Sequence, residues 1–257
     1  MRIDLASAPG DPQHPNEDWL SAVLPASGQG GVVVALDGVT PPRGDDGCTH
    51  GVPWFTARLG GRLTELSGSR RDMTLSQVLA KAISATADAH RETCDLSHVR
   101  TPQATVVMAR WDERSVEHLV LSDSVLLLRD PLGEVTAVRD DRLDRVPREV
   151  LRSVAAADAL RNAEGGFFTA ASDPSVAARA VTGTTPREAV SALAALTDGA
   201  TRWVDTFGEG DWADLFRLLQ KEGARSLIDR VRALEGGSSG AGRGKRHDDA
   251  SVAYATL

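Results

Sequence analysis

VVVALDG, residues 32–38, decides how this chain is read. Val32 to Leu36 is a continuous apolar run and reads as a buried strand that delivers a carboxylate to its end. An ionised Asp37 at that point is costly unless something charged sits opposite it. Gly38 admits close backbone approach, and its own carbonyl can serve as a ligand. Acids recur in similar company at Glu17-Asp18, Asp198-Gly199 and Asp248-Asp249-Ala250-Ser251. Such places spread over the whole chain point to one shared partner, a divalent cation or a pair of them. Hard divalent cations take oxygen ligands, and aspartates at strand ends suit them because the strand fixes the backbone. Each motif alone has a plainer reading. Asp-Gly is a common turn dipeptide, and Asp-Asp-Ala-Ser serves equally as a solvated turn.

Around that strand the pattern is mixed. His50 to Leu66 and Leu75 to His90 carry helical spacing, the second with Thr74 or Ser76 as cap. Ala104–Trp111 and Ser115–Leu121 read as one hairpin, and Val125–Arg129 with Glu134–Val138 as another. Pro147 to Arg161 reads as one helix with proline in its first turn. Thr184 to Leu196 fits a helix by its start and its alanines, or a strand by alternation; the strand is preferred. Asp211 caps a helix through Gln220, and a further helix spans Ala224 to Leu234. Gly236 to Gly244 reads as a flexible loop by composition, and Ser251 to Leu257 as a closing strand. No alternating βαβ rhythm persists, so a doubly wound parallel sheet is not expected.

The 257 residues suffice for a substantial core, and with aromatics at only 4% that core is built mostly from Ala, Val and Leu. A net charge of −7 argues against a nucleic-acid partner and favours attraction of cations. No segment has the length of a signal peptide's apolar core or a membrane helix, so a cytoplasmic protein with no membrane partner is expected. Two cysteines are too few for a disulfide scaffold or a structural zinc site, and the six histidines form no pair at metal-ligand spacing. Cys94 has no visible partner and reads as buried filler.

Taken in order, Asn16-Glu17-Asp18, Asp37-Gly38, Ala104-Thr105-Val106-Val107, Ser122-Asp123-Ser124, Thr197-Asp198-Gly199 and Asp248-Asp249-Ala250-Ser251 resemble the motifs of the type 2C protein phosphatases. These are the metal-dependent PPM family of serine/threonine phosphatases. The resemblance implies an α+β fold, a four-layer αββα sandwich of two antiparallel sheets flanked by helices, as a single domain over residues 1–257. It implies a phosphoric monoester hydrolase that uses two manganese or magnesium ions (Mn2+ or Mg2+) and a third, weaker one. Asp37 would bridge two metals with the Gly38 carbonyl on one of them, Asp198 and Asp248 would hold the first, and Glu17 the second. Asp18 would support bound water, and Asp123 would help hold the third ion. The implied chemistry needs no phosphoenzyme, since a water activated by two metals attacks phosphorus in line. Asp249 takes the place of a non-ligand neighbour, and Thr105 is expected to bond within its strand.

The sequence also departs from the family. Many members carry an arginine four residues before the motif glutamate, where it binds substrate phosphate; here that residue is Gln13. A neutral amide does not replace a bidentate Arg–phosphate pair. Arg43 and His14 are the candidate substitutes, each with a plain surface reading. The usual Gly-Asp-Ser-Arg reads Ser122-Asp123-Ser124-Val125. His50 in Cys48-Thr-His50-Gly51 is either a general acid near the metals or a helix-start histidine packing on Trp54. A phosphorylated protein is the expected substrate. A small phosphorylated metabolite, or a catalytically silent phosphatase-like binding module, is the alternative.

Overall fold

The computed structural model describes residues 1–27, 29–237 and 247–257. Its strands are β1 (Arg2–Ala8), β2 (Trp19–Val23), β3 (Gly31–Leu36), β4 (Val106–Trp111), β5 (Ser115–Leu121), β6 (Val125–Arg129), β7 (Val135–Arg139), β8 (Val181–Pro186), β9 (Ala192–Leu196) and β10 (Ala250–Thr256). The α-helices are α1 (Val52–Ser69), α2 (Leu75–Asp88), α3 (Arg148–Leu151), α4 (Val154–Leu160), α5 (Asp198–Asp205), α6 (Trp212–Glu222) and α7 (Ala224–Gly237). Among the described residues the strands form two five-stranded sheets, in the orders β2-β3-β4-β5-β8 and β1-β10-β9-β6-β7. All the strand pairings are antiparallel.

Burial shows how the layers stack. Alternate side chains of a strand point to opposite faces. Val32, Val34 and Leu36 pack with Phe55, Leu59 and Leu63 of α1 and with Leu79 and Ile83 of α2. Val33 and Ala35 point the other way, into a core shared with Leu126, Leu193 and Ala253 of the second sheet. The outer face of that sheet, through Val125, Ala194 and Tyr254, meets Trp203 of α5, Phe216 of α6 and Ile228 of α7. The αββα sandwich expected from the sequence is therefore present. β3 lies between helices and the opposing sheet, which is why its run is apolar without alternation. Helix α2 starts as expected at Thr74: its side chain accepts from the Gln77 N–H while the Gln77 side chain accepts from the Thr74 N–H.

Five features differ from expectation. The expected helix over 147–161 is two short ones, because the chain restarts at Ser153, whose hydroxyl accepts from the Ala156 N–H. The expected strand over 184–196 is β8, a 3-10 turn at Arg187–Ala189, and β9. That turn carries the chain from one sheet into the other. Asp198 stands in the first turn of α5 rather than in an acidic loop. The edge strands β1 and β2, half-buried or exposed along their length, are not among the expected strands. Gly236 and Gly237, expected to open a glycine-rich loop, end α7 instead, and the rest of that expected loop, to Gly244, lies outside the described residues. Among the described residues no helix is long and apolar enough to cross a membrane.

Candidate metal centre

Pairing register brings the acidic segments to one end of each sheet. Trp19 pairs with Leu36, so Glu17-Asp18 before β2 stands beside Asp37 after β3. Leu196 pairs with both Val252 and Val125, so Asp198 after β9 stands near Asp248-Asp249 before β10 and Asp123 before β6. Asp37, Gly38, Asp123, Asp198 and Asp248 line one cleft of about 300 Å³. Glu17, Asp248 and Asp249 line a neighbouring cleft of about 300 Å³, and Thr40 and Asp248 border both. Two glycines permit this convergence. A Cβ on Gly38 would stand 2.5 Å from the Glu17 carbonyl oxygen, and one on Gly199 would overlap the carbonyl oxygen of Asp249.

Packing so many carboxyls together costs free energy. Burial, then the charges of Asp198, Asp18, Asp123 and Asp248, hold the Asp37 carboxyl well above the usual carboxylate range. Burial, then Asp123, Asp248 and Asp18, does the same to Asp198. Burial also raises Asp123. Asp18 is pushed up to about 7, by burial first and by Asp249 and Asp248, against hydrogen bonds that lower it. One of these comes from the Thr197 hydroxyl, which donates to Asp18 Oδ2 at 3.0 Å while accepting from the Ser251 N–H at 2.9 Å. The second oxygen of Asp18 and one oxygen of Asp198 are buried with no hydrogen-bond partner. A buried acceptor without a donor is a costly arrangement. Divalent cations among these oxygens would relieve both the orphaned acceptors and the mutual repulsion, so the residues present fit such ions.

The remaining candidates divide. Asp249 is no solvated turn residue: its carboxylate accepts from the N–H groups of Gly10, at 2.7 Å, and Glu17, at 2.6 Å. It therefore ties the Glu17 segment to the start of β10. Glu17 itself accepts a hydrogen bond from Thr40. Thr105 Oγ1 lies 2.5 Å from Ser124 Oγ and accepts from the Asp37 N–H, so it supports the strand end. Ser122 has φ 69°, a left-handed conformation that favours glycine, which explains why glycine is usual at this point of the motif. Gln13 and Arg43 are exposed, and Arg43 and His50 line neither cleft. His14 borders the Glu17 cleft but pairs with Asp11 at 2.9 Å.

Sequence reasoning missed Arg161. It follows α4, lines the Asp37 cleft, donates to Gln103 Oε1 at 3.3 Å and stacks over Phe167 at 5.1 Å. Burial lowers its pKa, while the charges of Asp158 and Asp123 work against that shift. No motif marks this position, because it reaches the cleft only through the fold of the segment between β7 and β8.

Two expectations about the thiols and imidazoles are corrected. Cys94 is not isolated filler, for its sulfur lies 3.2 Å from that of Cys48. The histidines do pair: His50 and His90 meet the same two thiols, although 40 positions separate them in the chain. His50 also stacks on Trp54 at 4.2 Å, as one of its two readings held.

The family model described as protein phosphatase 2C matches residues 11–232. The chain belongs to the protein phosphatase 2C family. Its class, a metal-dependent phosphoric monoester hydrolase, follows from that membership. Among solved structures, the Mycobacterium tuberculosis serine/threonine phosphatase PstP/Ppp is 17% identical, with a TM-score of 0.62 over 100% of this chain and 98% of that one. The serine/threonine phosphatase Stp1 from Staphylococcus aureus is 16% identical, with a TM-score of 0.61 over 99% and 94%. The S. agalactiae serine/threonine phosphatase is 13% identical, with a TM-score of 0.62 over 100% and 99%. At such identities the likeness shows the fold. No curated protein sequence matches significantly.

Proposed function

We propose that this protein phosphatase 2C member hydrolyses phosphoserine and phosphothreonine on proteins, with Mn2+ or Mg2+ held by Glu17, Asp37, Gly38, Asp198 and Asp248 and a weaker ion near Asp123. The observation that carries this reading is the convergence of buried carboxyls with orphaned oxygens at Asp18 and Asp198. When bound, the ions supply Lewis-acid charge toward phosphoryl oxygens and acidify the attacking water. The chain's own residues set the stage. Asp37 holds its place through the Thr105 hydroxyl, and Asp249 anchors the backbone of Glu17. Asp18, held by the Thr197 hydroxyl, stands where it would support a metal-bound water. Arg161, which lines the same cleft, offers the guanidinium that Gln13 lacks as a partner for phosphate oxygens. A cytoplasmic location belongs to the same proposal.

A second reading, a small phosphorylated metabolite as substrate, is favoured by one feature. Leu143, Leu151, Ala157 and Phe167 line the Asp37 cleft and give it an apolar wall against which a compact ligand would pack. Initial rates with Mn2+ on a phosphoserine and phosphothreonine peptide panel, set against phosphorylated sugars and amino acids, test the choice. Peptides are expected to give the higher kcat/KM by at least about tenfold, a difference of roughly 1.4 kcal/mol. Faster turnover of the small compounds would replace the first reading by the second.

A further inference from the structure

Cys48, His50, His90 and Cys94 each offer one ligand atom, and the four atoms lie within 4.8 Å of one another. His50 Nδ1 is 3.3 Å from Cys94 Sγ and 3.7 Å from Cys48 Sγ, and His90 Nδ1 is 3.6 Å from Cys48 Sγ. Four donors around one Zn2+, at about 2.0–2.3 Å each, stand roughly 3.3–3.8 Å apart. The two sulfurs, at 3.2 Å, need only part slightly to reach that spacing. We propose that these four residues form a structural Zn2+ site, separate from the acidic cleft, that fastens the loop after Asp37 to the end of α2.

The surroundings suit that role. Backbone N–H groups already point at both sulfurs, from His50 to Cys48 at 3.4 Å and from Thr49 to Cys94 at 3.5 Å. Such donors stabilise thiolates and orient metal ligands. Burial raises the Cys94 thiol, but hydrogen bonds from the Thr49 N–H, the Cys48 thiol and the Thr93 and Thr49 hydroxyls outweigh it and bring the group down to about 5, while burial holds the Cys48 thiol above its usual range. Trp54 packs against both imidazoles, at 4.2 Å from His50 and 5.1 Å from His90, and so fixes the ring planes. His90 is buried, at 2% exposure, and sits one helical turn before Cys94, whose N–H donates to the His90 carbonyl at 3.0 Å. On binding, each thiol loses its proton to solvent, and each neutral imidazole coordinates through Nδ1 with its proton on Nε2. No electrons are transferred.

Donor chemistry separates the two sites. Thiolate and imidazole select Zn2+ in tetrahedral geometry, whereas carboxylate clefts select Mg2+ or Mn2+. Two protein thiolates and two imidazoles complete a four-coordinate shell and leave no open position, which marks a structural site. The sequence conceals it because Cys48-Thr-His50 and His90-Glu92-Cys94 come from elements far apart in the chain.

The test is elemental analysis of the intact chain, purified under reducing conditions, incubated with Zn2+ and gel-filtered. Cobalt titration of the metal-stripped chain accompanies it. The expected result is one zinc per chain in the wild type and none in Cys94→Ser or His90→Asn. Cobalt is expected to give sulfur-to-metal charge transfer in the near ultraviolet and intense visible bands of tetrahedral geometry. If a variant fails to fold, the wild-type zinc ratio and cobalt spectrum decide. Absence of zinc together with absence of the charge-transfer band overturns the proposal. So does a Cys48–Cys94 disulfide found by peptide mapping in the zinc-incubated protein, since it leaves no thiolate to bind metal.

Discussion

Removing the Asp249 carboxylate, which is not among the implied metal ligands, should nevertheless disturb metal binding. Its two oxygens accept from Gly10 N at 2.7 Å and Glu17 N at 2.6 Å, residues more than 230 positions away in sequence. Hydrogen bonds to a charged acceptor contribute about 1.5–3 kcal/mol each, toward the lower end where the site is partly exposed. Asp249→Ala removes both and leaves two N–H groups to find water, so a loss of about 3 kcal/mol is expected. For a chain of this size that corresponds to a fall in Tm of roughly 6–12 °C. Asp249→Asn keeps one accepting oxygen but turns an amide toward the other N–H, and should lose about half as much. Because the bond to Glu17 sets that segment's place, the Mn2+ concentration for half-maximal activity should rise about tenfold in the alanine variant. Thermal melts with and without Mn2+, and activity against Mn2+ concentration, read both effects. An alanine variant with wild-type Tm and wild-type Mn2+ dependence would refute the claim that Asp249 holds the Glu17 segment.

Arg161→Ala should raise KM for a phosphate monoester about tenfold with little change in Mn2+ dependence, and Arg161→Lys should recover part of the loss. An unchanged KM would remove Arg161 from substrate binding. Ser122→Gly should stabilise the protein by about 0.5–1 kcal/mol in urea unfolding, since it relieves a left-handed conformation at an L-residue. Destabilisation would show that the Ser122 hydroxyl, 3.3 Å from Asp123 Oδ1, matters more than the strain. In the metal-free protein Asp18 binds its proton more tightly folded than unfolded, at about 7 against 3.8. Folded chains then bind more protons, so this group makes metal-free stability fall as pH rises from about 4 to about 7. Bound metal needs the ionised carboxylates, so the Tm gain on adding Mn2+ should widen over that window. A gain independent of pH would contradict the raised carboxyls.

Much of the architecture was legible because buried strands and amphipathic helices carry strong patterns. Val32 to Leu36 reads as a strand covered on both faces, and Thr74 reads as a cap because its hydroxyl and Gln77 satisfy each other. Strand β1 was not legible, since polar residues such as Arg2 and Asp4 break up its apolar ones. Asp198 looked like a turn residue because Asp-Gly favours turns, yet Thr197 lies buried between Asp18 and Ser251 and α5 begins directly after it. The acids of the candidate site could be picked out by their order, but the work of Asp249 could not, since its partners lie at the opposite end of the chain. Arg161 and the thiol–imidazole cluster were hidden for the same reason: tertiary folding, not spacing, brings them to their neighbours.

Hydrolysis of p-nitrophenyl phosphate by the wild-type chain and by folded Asp37→Ala, with Mn2+ and with chelator, tests the central claim most directly. The account predicts turnover that requires added Mn2+ or Mg2+, disappears with chelator and returns on readdition. It predicts a loss of at least about a thousandfold, roughly 4 kcal/mol in barrier, on removing Asp37. Turnover that persists in Asp37→Ala or without divalent metal, or a folded wild type with none under any metal, would contradict it.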